Sequence, residues 1–465
     1  MSRTTRGRGS VCFLLGLLAA GLCGRAQPGR AEFERLSIEQ GLSQSIVERI
    51  VQDHQGFLWF CTEDGLNRYD GYSFLVLRKD PANPDSLSHN HARTALVDRQ
   101  GRLWVGTFNG GLNRYDPKTG HVVRYLHDPA RPDSLSYDVV TALCQDRTGA
   151  LWVGTIHGLN RLPASGVEAA RGQPARFEVL GHDAAAPDSL GNDTVRAICE
   201  DRAGTLWVGT DGGLNRLLPG AVPRFVRYRH DVRDQASLGH DTVRAVIQTR
   251  DGALWVGTDG GLDRLDAGAG TSSAAALRGG FVHYRHDPAD PGSLGHDQVF
   301  ALLEDRRGRL WVATNGGGLD LLDRASQRFQ HFRHADSDPL SLGHDSLRSL
   351  FESADGNLWI GTYGGGISKL RQSQKAFRHV RAEPGGLNDA IVWCFHQDGD
   401  GTLWVGTNGG GLNRRDPVSG RFTAYRARPQ DPRALSSDVV RQIVPDRYGF
   451  LWIGTDGGGL CRFDR

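Results

Sequence analysis

Methionine occurs once in the 465 residues, at position 1. A chain without that pliable side chain has no thioether-rich adaptable surface, and its core must be filled by stiffer groups. An excess of one charge is missing as well: 55 basic residues stand against 53 acidic ones, a net charge of +2. That balance excludes a broad cationic face, so nucleic acid is not an expected partner. Beyond the first 26 residues no run of about 18 apolar residues occurs, so no membrane span is expected in the mature chain. Cysteine is sparse there too, with Cys61, Cys144, Cys199, Cys394 and Cys461. An odd number without CxxC spacing argues against a disulfide framework or a zinc centre, and for small buried apolar side chains. Helical periodicity is not sustained anywhere in the mature chain.

Enzyme signatures are missing in the same way. There is no nucleophile elbow, no HExxH and no phosphate loop, and no carboxylate pair stands out from the many turn aspartates. The GxG-like strings are glycine turns between strands. No catalytic residue, no cofactor and no metal ligand is expected from these motifs.

What the chain does have begins with Arg3, Arg6 and Arg8, an apolar run over 11–22 and a small-residue site at Gly24 and Ala26. This pattern predicts a secretory signal peptide over 1–26 and a periplasmic or secreted product. An uncleaved anchor is the alternative; Leu22 before Cys23 argues against a lipoprotein.

The rest is repetition. LWVGT or a close variant returns around Trp59, Trp104, Trp152, Trp207, Trp255, Trp311, Trp359, Trp404 and Trp452, at spacings of 45 to 56 residues, and a threonine follows each tryptophan by three. That spacing fits a four-stranded propeller blade rather than a helical solenoid. VRAICED at 195–201 reads as a first strand, a, closed by a DxxG turn in which aspartate holds the following amides and glycine supplies positive φ. LWVGT is strand b, GLNRL after a glycine turn is c, and the alternating RFVRYRHD at 224–231 is d. The expected fold is all-β, a β-propeller of four-stranded blades with nine repeats. A small sheet cannot bury both faces alone, so each tryptophan should wedge between neighbours. FERLS at 33–37 resembles a d strand that could complete a final blade, and GLCRFDR at 459–465 is a c strand without its d.

The unit resembles the two-component regulator propeller repeat, whose pattern runs as an apolar strand, D..G.LW.GT, then GGLN.. and an aromatic strand. GFLWFCTEDGLNRYDGYSF at 56–74 looks like that family's typical first repeat. In the family, two seven-bladed rings are commonly followed by a β-sandwich, a membrane helix and a histidine kinase or other output domain; none of those later parts is legible here. After Trp359 the pattern changes, and AFRHVRAEPGGLNDAIVW at 376–393 looks like a fresh d strand opening a second ring. The preferred organisation is a seven-bladed propeller over 33–380 and two further repeats of an incomplete second ring over 381–465. One closed ring of eight or nine blades is the alternative.

Candidate site residues follow from strand geometry. The residue eleven before each tryptophan reads Glu48, Arg93, Thr141, Arg196, Arg244, Phe300, Arg348, Trp393 and Arg441. Its predecessor is mostly valine and must face the core, so period two turns this column towards the central channel. Loops after the threonine carry Phe108, Asp211, Asp259 and Tyr363 to the same face. The ligand-binding set expected is Arg93, Arg196, Arg244, Arg348, Arg441, Trp393, Phe108, Tyr363, Asp211 and Asp259, with guanidinium forks and aromatic stacking for a small polar or carbohydrate-like ligand. The plainer reading is a water-filled channel with solvated arginines. His240, His296 and His344 recur in SLGHD, with His89 in SLSHN; loop capping explains them better than metal binding.

The resemblance implies a non-enzymatic, ligand-sensing module of a two-component-type signalling protein, with a homodimer compatible with it and the output domain elsewhere. An exported lyase similar to streptogramin lyases is the rival, and it would gather a histidine, an acidic residue and a divalent cation at the ring axis. Here only Glu63 and Asp64 answer that description. A non-catalytic interaction scaffold is a third reading.

Overall fold

The computed structural model describes residues 31–168, 175–265, 280–371, 380, 382, 386–417 and 419–465. The residues read as a signal peptide lie outside that set, as do 376–379, 381 and 383–385 of the stretch read as a fresh d strand.

Six of the nine repeats are each set by one carboxylate that serves twice. Asp53 accepts the backbone N–H groups of Gln55 and Phe57 with one oxygen, both at 3.0 Å, which shapes the turn after strand a. Its other oxygen accepts the Trp59 indole N–H at 2.8 Å. The same double use recurs at Asp98, Asp146, Asp201, Asp305 and Asp446. In the fifth and seventh repeats the duties are divided. Thr249 and Ser353 take the indole, at 3.1 and 2.8 Å, while Asp251 and Asp355 two residues on hold the turn. The threonine after each tryptophan has a similar local reason: Thr62 donates to the Gly65 carbonyl at 2.9 Å across the b–c turn, and Thr210 does the same to Gly213. Both are fully buried. The glycine between tryptophan and threonine marks close approach of two sheets, for a Cβ on Gly209 would lie 2.6 Å from Val243 of the next sheet.

The first compact unit, Met1–Ser373, holds seven antiparallel sheets among its described residues. The first consists of Val47–Gln52, Leu58–Thr62, Gly65–Tyr69 and Phe74–Leu77, paired in that order. Five more follow in the same pattern. The seventh takes Leu347–Glu352, Leu358–Thr362 and Ile367–Leu370 from its own repeat, and its fourth strand is Phe33–Leu36, with Phe33 opposite Leu370 and Leu36 opposite Ile367. Strand a of each sheet runs beside strand a of the next, and that of the seventh beside that of the first. Outside the strands stand a single-turn α-helix, Ala164–Val167, and a 3-10 turn, Ile38–Gln40.

The core lies between sheets. Trp104 of the second packs with Val140, Leu143, Leu151 and Val153 of the third, and Trp207 of the fourth with Val243, Val246, Leu254 and Val256 of the fifth. Trp359 of the seventh enters Val47, Ile50 and Phe60 of the first, its ring centroid 5.8 Å from that of Phe60.

The second compact unit, Gln374–Arg465, has among its described residues one four-stranded sheet, Val392–Gln397, Leu403–Thr407, Leu412–Arg415 and Phe422–Tyr425, and one three-stranded sheet, Val440–Pro445, Phe450–Thr455 and Gly459–Asp464. Trp404 is buried among Leu412, Val440, Ile443, Leu451 and Ile453. Trp452 corrects the expectation that every repeat tryptophan is wedged: it is 37% exposed, because among the described residues no further sheet stands on its side.

Strand d is tied inward through a buried position on strand c, filled by Asn67, Asn113, Asn160 and Asn215, then by Asp263, Asp320 and Ser368. Each accepts an N–H of the loop leading into strand a, as from Gly191 to Asn215 and from Gly239 to Asp263, both at 2.7 Å. The two aspartates face histidines on strand d. His283 and His331 place Nδ1 2.6 Å from Asp263 and Asp320, and Nε2 at 2.9 and 3.0 Å from the carbonyls of Gln235 and Pro291. Two acceptors at two ring nitrogens require the imidazolium, and the hydrogen bonds to the carboxylates raise both histidines above their ordinary range. Because the folded value is the higher one, this stabilisation is fully present below about pH 6.5 and is lost as pH rises through the folded value. The melting temperature is therefore expected to fall between about pH 6 and 9. The second and fourth sheets use an asparagine opposite an arginine instead, Asn113 with Arg124 and Asn215 with Arg227. Converting both aspartate–histidine pairs to that pattern should flatten the melting profile; an unchanged slope would show that the pairs do not cause it.

Candidate functional site

Strand a carries a register shift at its start in every sheet, between Val195 and Ala197 in the fourth, for example. That bulge frees the intervening residue from the ladder and aims it along the channel wall. Fifteen residues later in the chain, the b–c loop of the same sheet presents its own side chain to the same place, as Asp211 does for Arg196. The site is therefore a set of pairs rather than a column.

In the fourth and fifth sheets the pair neutralises itself. Arg196 grips Asp211 with Nε and Nη2, and Arg244 grips Asp259 likewise, the Nη2 contacts being 2.7 and 2.8 Å. These four residues, expected to face a ligand, are occupied with each other. The third sheet places Thr141 at this position, its hydroxyl on the Val195 carbonyl. In the sixth, Phe300 lies between the guanidinium groups of Arg244 and Arg348, at 4.5 and 4.2 Å.

The seventh, first and second sheets differ. Arg348 is paired with Tyr363, whose ring lies 4.4 Å from the guanidinium, and the residue fifteen after Arg93 is Phe108. Among the described residues neither arginine has a carboxylate at ion-pair distance, and Nε of Arg348 is buried without a hydrogen-bond partner. Between them the first sheet brings two carboxylates, Glu48 and Glu63. Burial raises Glu48 above the usual carboxylate range, against the pull of Arg348 and Arg93. His91 stacks on Phe108 with ring centroids 5.3 Å apart, and its buried Nε2 also lacks a partner. Burial lowers His91, which favours the neutral ring. Ligand-type atoms of Glu48, Glu63 and His91 lie within 4.8 Å of one another. Phe108 and Tyr363 are 39% and 45% exposed, so this sector pairs open aromatic faces with unspent donors and acceptors.

Deeper in the channel stands Arg49. It occupies a position held by Thr94, Ala142, Ala197, Ala245, Ala301 and Ser349 in the other sheets. Its side chain is exposed to solvent, and the guanidinium stands near the thiols of Cys61 and Cys144. Burial pushes the Cys61 thiol up to about 12 and that of Cys144 to about 11, which makes both inert at neutral pH.

Trp393 and Arg441 belong to the second unit. There the Arg441 guanidinium lies 4.1 Å from the Trp393 ring, Asp456 holds Arg441 at 2.6 Å, and Trp393 donates to Asn408 at 3.0 Å. The recurring loop histidines cap: Nδ1 of His240, His296 and His344 accepts the N–H two residues on, at 3.0, 3.1 and 2.9 Å. Sequence reasoning missed Glu48 as a partner of Glu63, and it missed His91 and Arg49. Comparing positions fifteen apart finds the first, and the break in a column of small residues finds Arg49.

Eight segments, 86–109, 134–157, 189–212, 237–260, 293–316, 341–364, 386–409 and 434–457, match the two component regulator propeller family. The chain is similar to the extracellular domain assigned to the hybrid two component system BT3049 of B. thetaiotaomicron, at 27% identity and a TM-score of 0.61, over 94% of this chain and 54% of that one. The corresponding domain of the one component system BT4673 gives 22% and 0.57 over 93% and 52%, a likeness of fold. A streptogramin B lyase gives 15% and 0.50 over 73% and 96%, also a likeness of fold alone. A stretch of 64 residues is 42% identical to histidine kinase P4 of Formosa agariphila, covering 14% of this chain and 5% of the kinase. The chain thus spans about half the length of these two extracellular domains, and a small part of the kinase.

Proposed function

Because the chain belongs to the two-component regulator propeller repeat family, we propose that it is the exported ligand-sensing module of a two-component-type signalling protein. Its ligand is small and polar, derived from carbohydrate, and held where the seventh, first and second sheets meet at the channel mouth. One observation carries this reading: the two arginines left without carboxylates, Arg93 and Arg348, flank the sheet that brings two carboxylates and lacks an arginine at that position. A sugar suits such a place. Its hydroxyls donate to Glu48 and Glu63, its ring and hydroxyl oxygens accept from the guanidinium forks, and its apolar face lies on Tyr363 or Phe108.

Calorimetric titration with neutral and acidic oligosaccharides tests this. Arg348→Ala or Glu48→Gln should weaken the best binder at least about tenfold, or ~1.4 kcal/mol. Arg196→Ala, which disturbs only a closed ion pair, should change affinity less than about threefold. Equal affinity in all three variants would remove the ligand from this sector.

The cluster of Glu48, Glu63 and His91 favours a second reading, a lyase using a divalent cation. Against it stand Arg93 and Arg348, whose charges oppose a cation at the same place. Turnover that depends on added magnesium would favour the lyase; ligand-dependent melting without turnover favours the sensor.

A further inference from the structure

In the inner column the sixth sheet places a half-buried ring, Phe300, where the fourth, fifth and seventh sheets have arginine and the third has Thr141. The fold does not require an aromatic there, since a threonine serves the third sheet. The ring's neighbours are cations: the guanidinium groups of Arg244 and Arg348 lie over it, at 4.5 and 4.2 Å. Arg244 is fixed in turn by Asp259, at 2.8 Å, and Arg348 lies over a second ring, that of Tyr363, at 4.4 Å. A ladder thus runs from Asp259 through Arg244, Phe300 and Arg348 to Tyr363. Its first cation is neutralised and its second is not. The closed pair of the fifth sheet, which offers a ligand nothing, holds the ring that holds Arg348.

Two rings over a planar cation engage its faces and leave its N–H edge as the part a ligand can take. The Nε of Arg348 is buried without a hydrogen-bond partner. Charge adds a second constraint. Arg93 and Arg348, with Arg49 deeper in the channel, stand against only Glu48 and Glu63, and burial works against charge on Glu48. An open fork of donors in a surplus of positive charge suits a pair of oxygens that share a negative charge. We propose that Arg348 recognises an oxyanion substituent, a carboxylate or a sulfate ester, and that Phe300 is a positioning residue for that arginine. This rests on the ligand reading above and narrows it to acidic saccharides.

Calorimetric titration with sodium sulfate and with sodium acetate, replacing chloride at constant ionic strength, tests this without a saccharide. At least one of the two should bind the parent with a Kd of about 1 to 20 mM. Acetate marks a uronate ligand and sulfate a sulfate ester. Arg348→Ala should abolish the binding. Phe300→Leu keeps an apolar side chain but removes the ring, and should weaken it about fivefold. Phe300→Tyr should return it to within about twofold of the parent. Tyr363→Leu, in an exposed loop, repeats the test from the other ring and should also weaken binding. No binding of either anion below about 50 mM overturns the proposal, as does Phe300→Leu at parent affinity or Phe300→Tyr as weak as Phe300→Leu. A neutral oligosaccharide held by this sector while neither anion binds removes this inference and leaves the ligand reading in place. Anions bound in the expected pattern without any saccharide do the reverse.

Discussion

Trp207→Ala is expected to lower the stability of the first unit by about 3 to 5 kcal/mol, as for a fully packed core aromatic, whereas Trp452→Ala should cost less than about 1 kcal/mol, as at an exposed site. The repeat sequence around the two is nearly the same; the neighbours are not. Trp207 is 4% exposed and lies among Val243, Val246, Leu254 and Val256 of the following sheet, while Trp452 is 37% exposed. Truncation at position 207 leaves a cavity in a junction so tight that a glycine must stand two residues further on. It also strands the Asp201 oxygen that accepts the indole at 2.9 Å. Urea titration followed by tyrosine fluorescence and circular dichroism measures both costs. Equal losses would show that the sheets are held by something other than the indoles.

A second large effect, confined to one strand, is expected at Phe33→Asp. Phe33 and Leu36 are 2% and 7% exposed, and Phe33 packs with the seventh sheet and edge-on against Phe332, at 6.0 Å. Between them Arg35 holds the loop before the seventh sheet, donating to the carbonyls of Ser341 and Asp338, both at 2.9 Å. A charge placed at residue 33 costs several kcal/mol if it stays buried without a partner, so the strand is expected to detach. Amide exchange in Ile367–Leu370 should then rise by two orders of magnitude or more, since about 3 kcal/mol of local protection is lost. Exchange in the third and fourth sheets should stay near its parent value. Unchanged protection at 367–370 would mean that the first strand adds nothing to the seventh sheet.

How far the sequence could be read depends on the distance over which each feature is decided. The tryptophan frame, the DxxG turn and the threonine are decided within about ten residues by local hydrogen bonds, and all three were legible, as was the order of strands a to d. The arginine column was legible as a column, because the repeat frame fixes its place, although the bulge at the start of strand a, rather than strict alternation, aims it. Its chemistry was not. Whether Arg196 is free or bound depends on the residue fifteen positions away, and a list of arginines does not distinguish Arg196, held by Asp211, from Arg348, which faces Tyr363. The partner of Phe33–Leu36 could not be fixed either. A d strand of that pattern suits any sheet lacking one, and the seventh and the last repeat both lacked one. His91 escaped notice because it lies outside the repeat motif, in the loop before strand a, and matters only through the neighbouring sheet.

The pairing of residues 33–36 with 367–370 has a consequence in time. Synthesis delivers the strand Phe33–Leu36 first, yet its place exists only after more than 300 further residues have appeared. Junctions between adjacent sheets join neighbours in sequence and can form one after another, but the final one bridges almost the whole unit. Loop closure of that length adds little to the equilibrium penalty and much to the wait. Until it happens, the amino-terminal strand and the edge of the seventh sheet are both unpaired, which makes that interval the stage of folding most open to capture by a chaperone, a protease or another nascent chain.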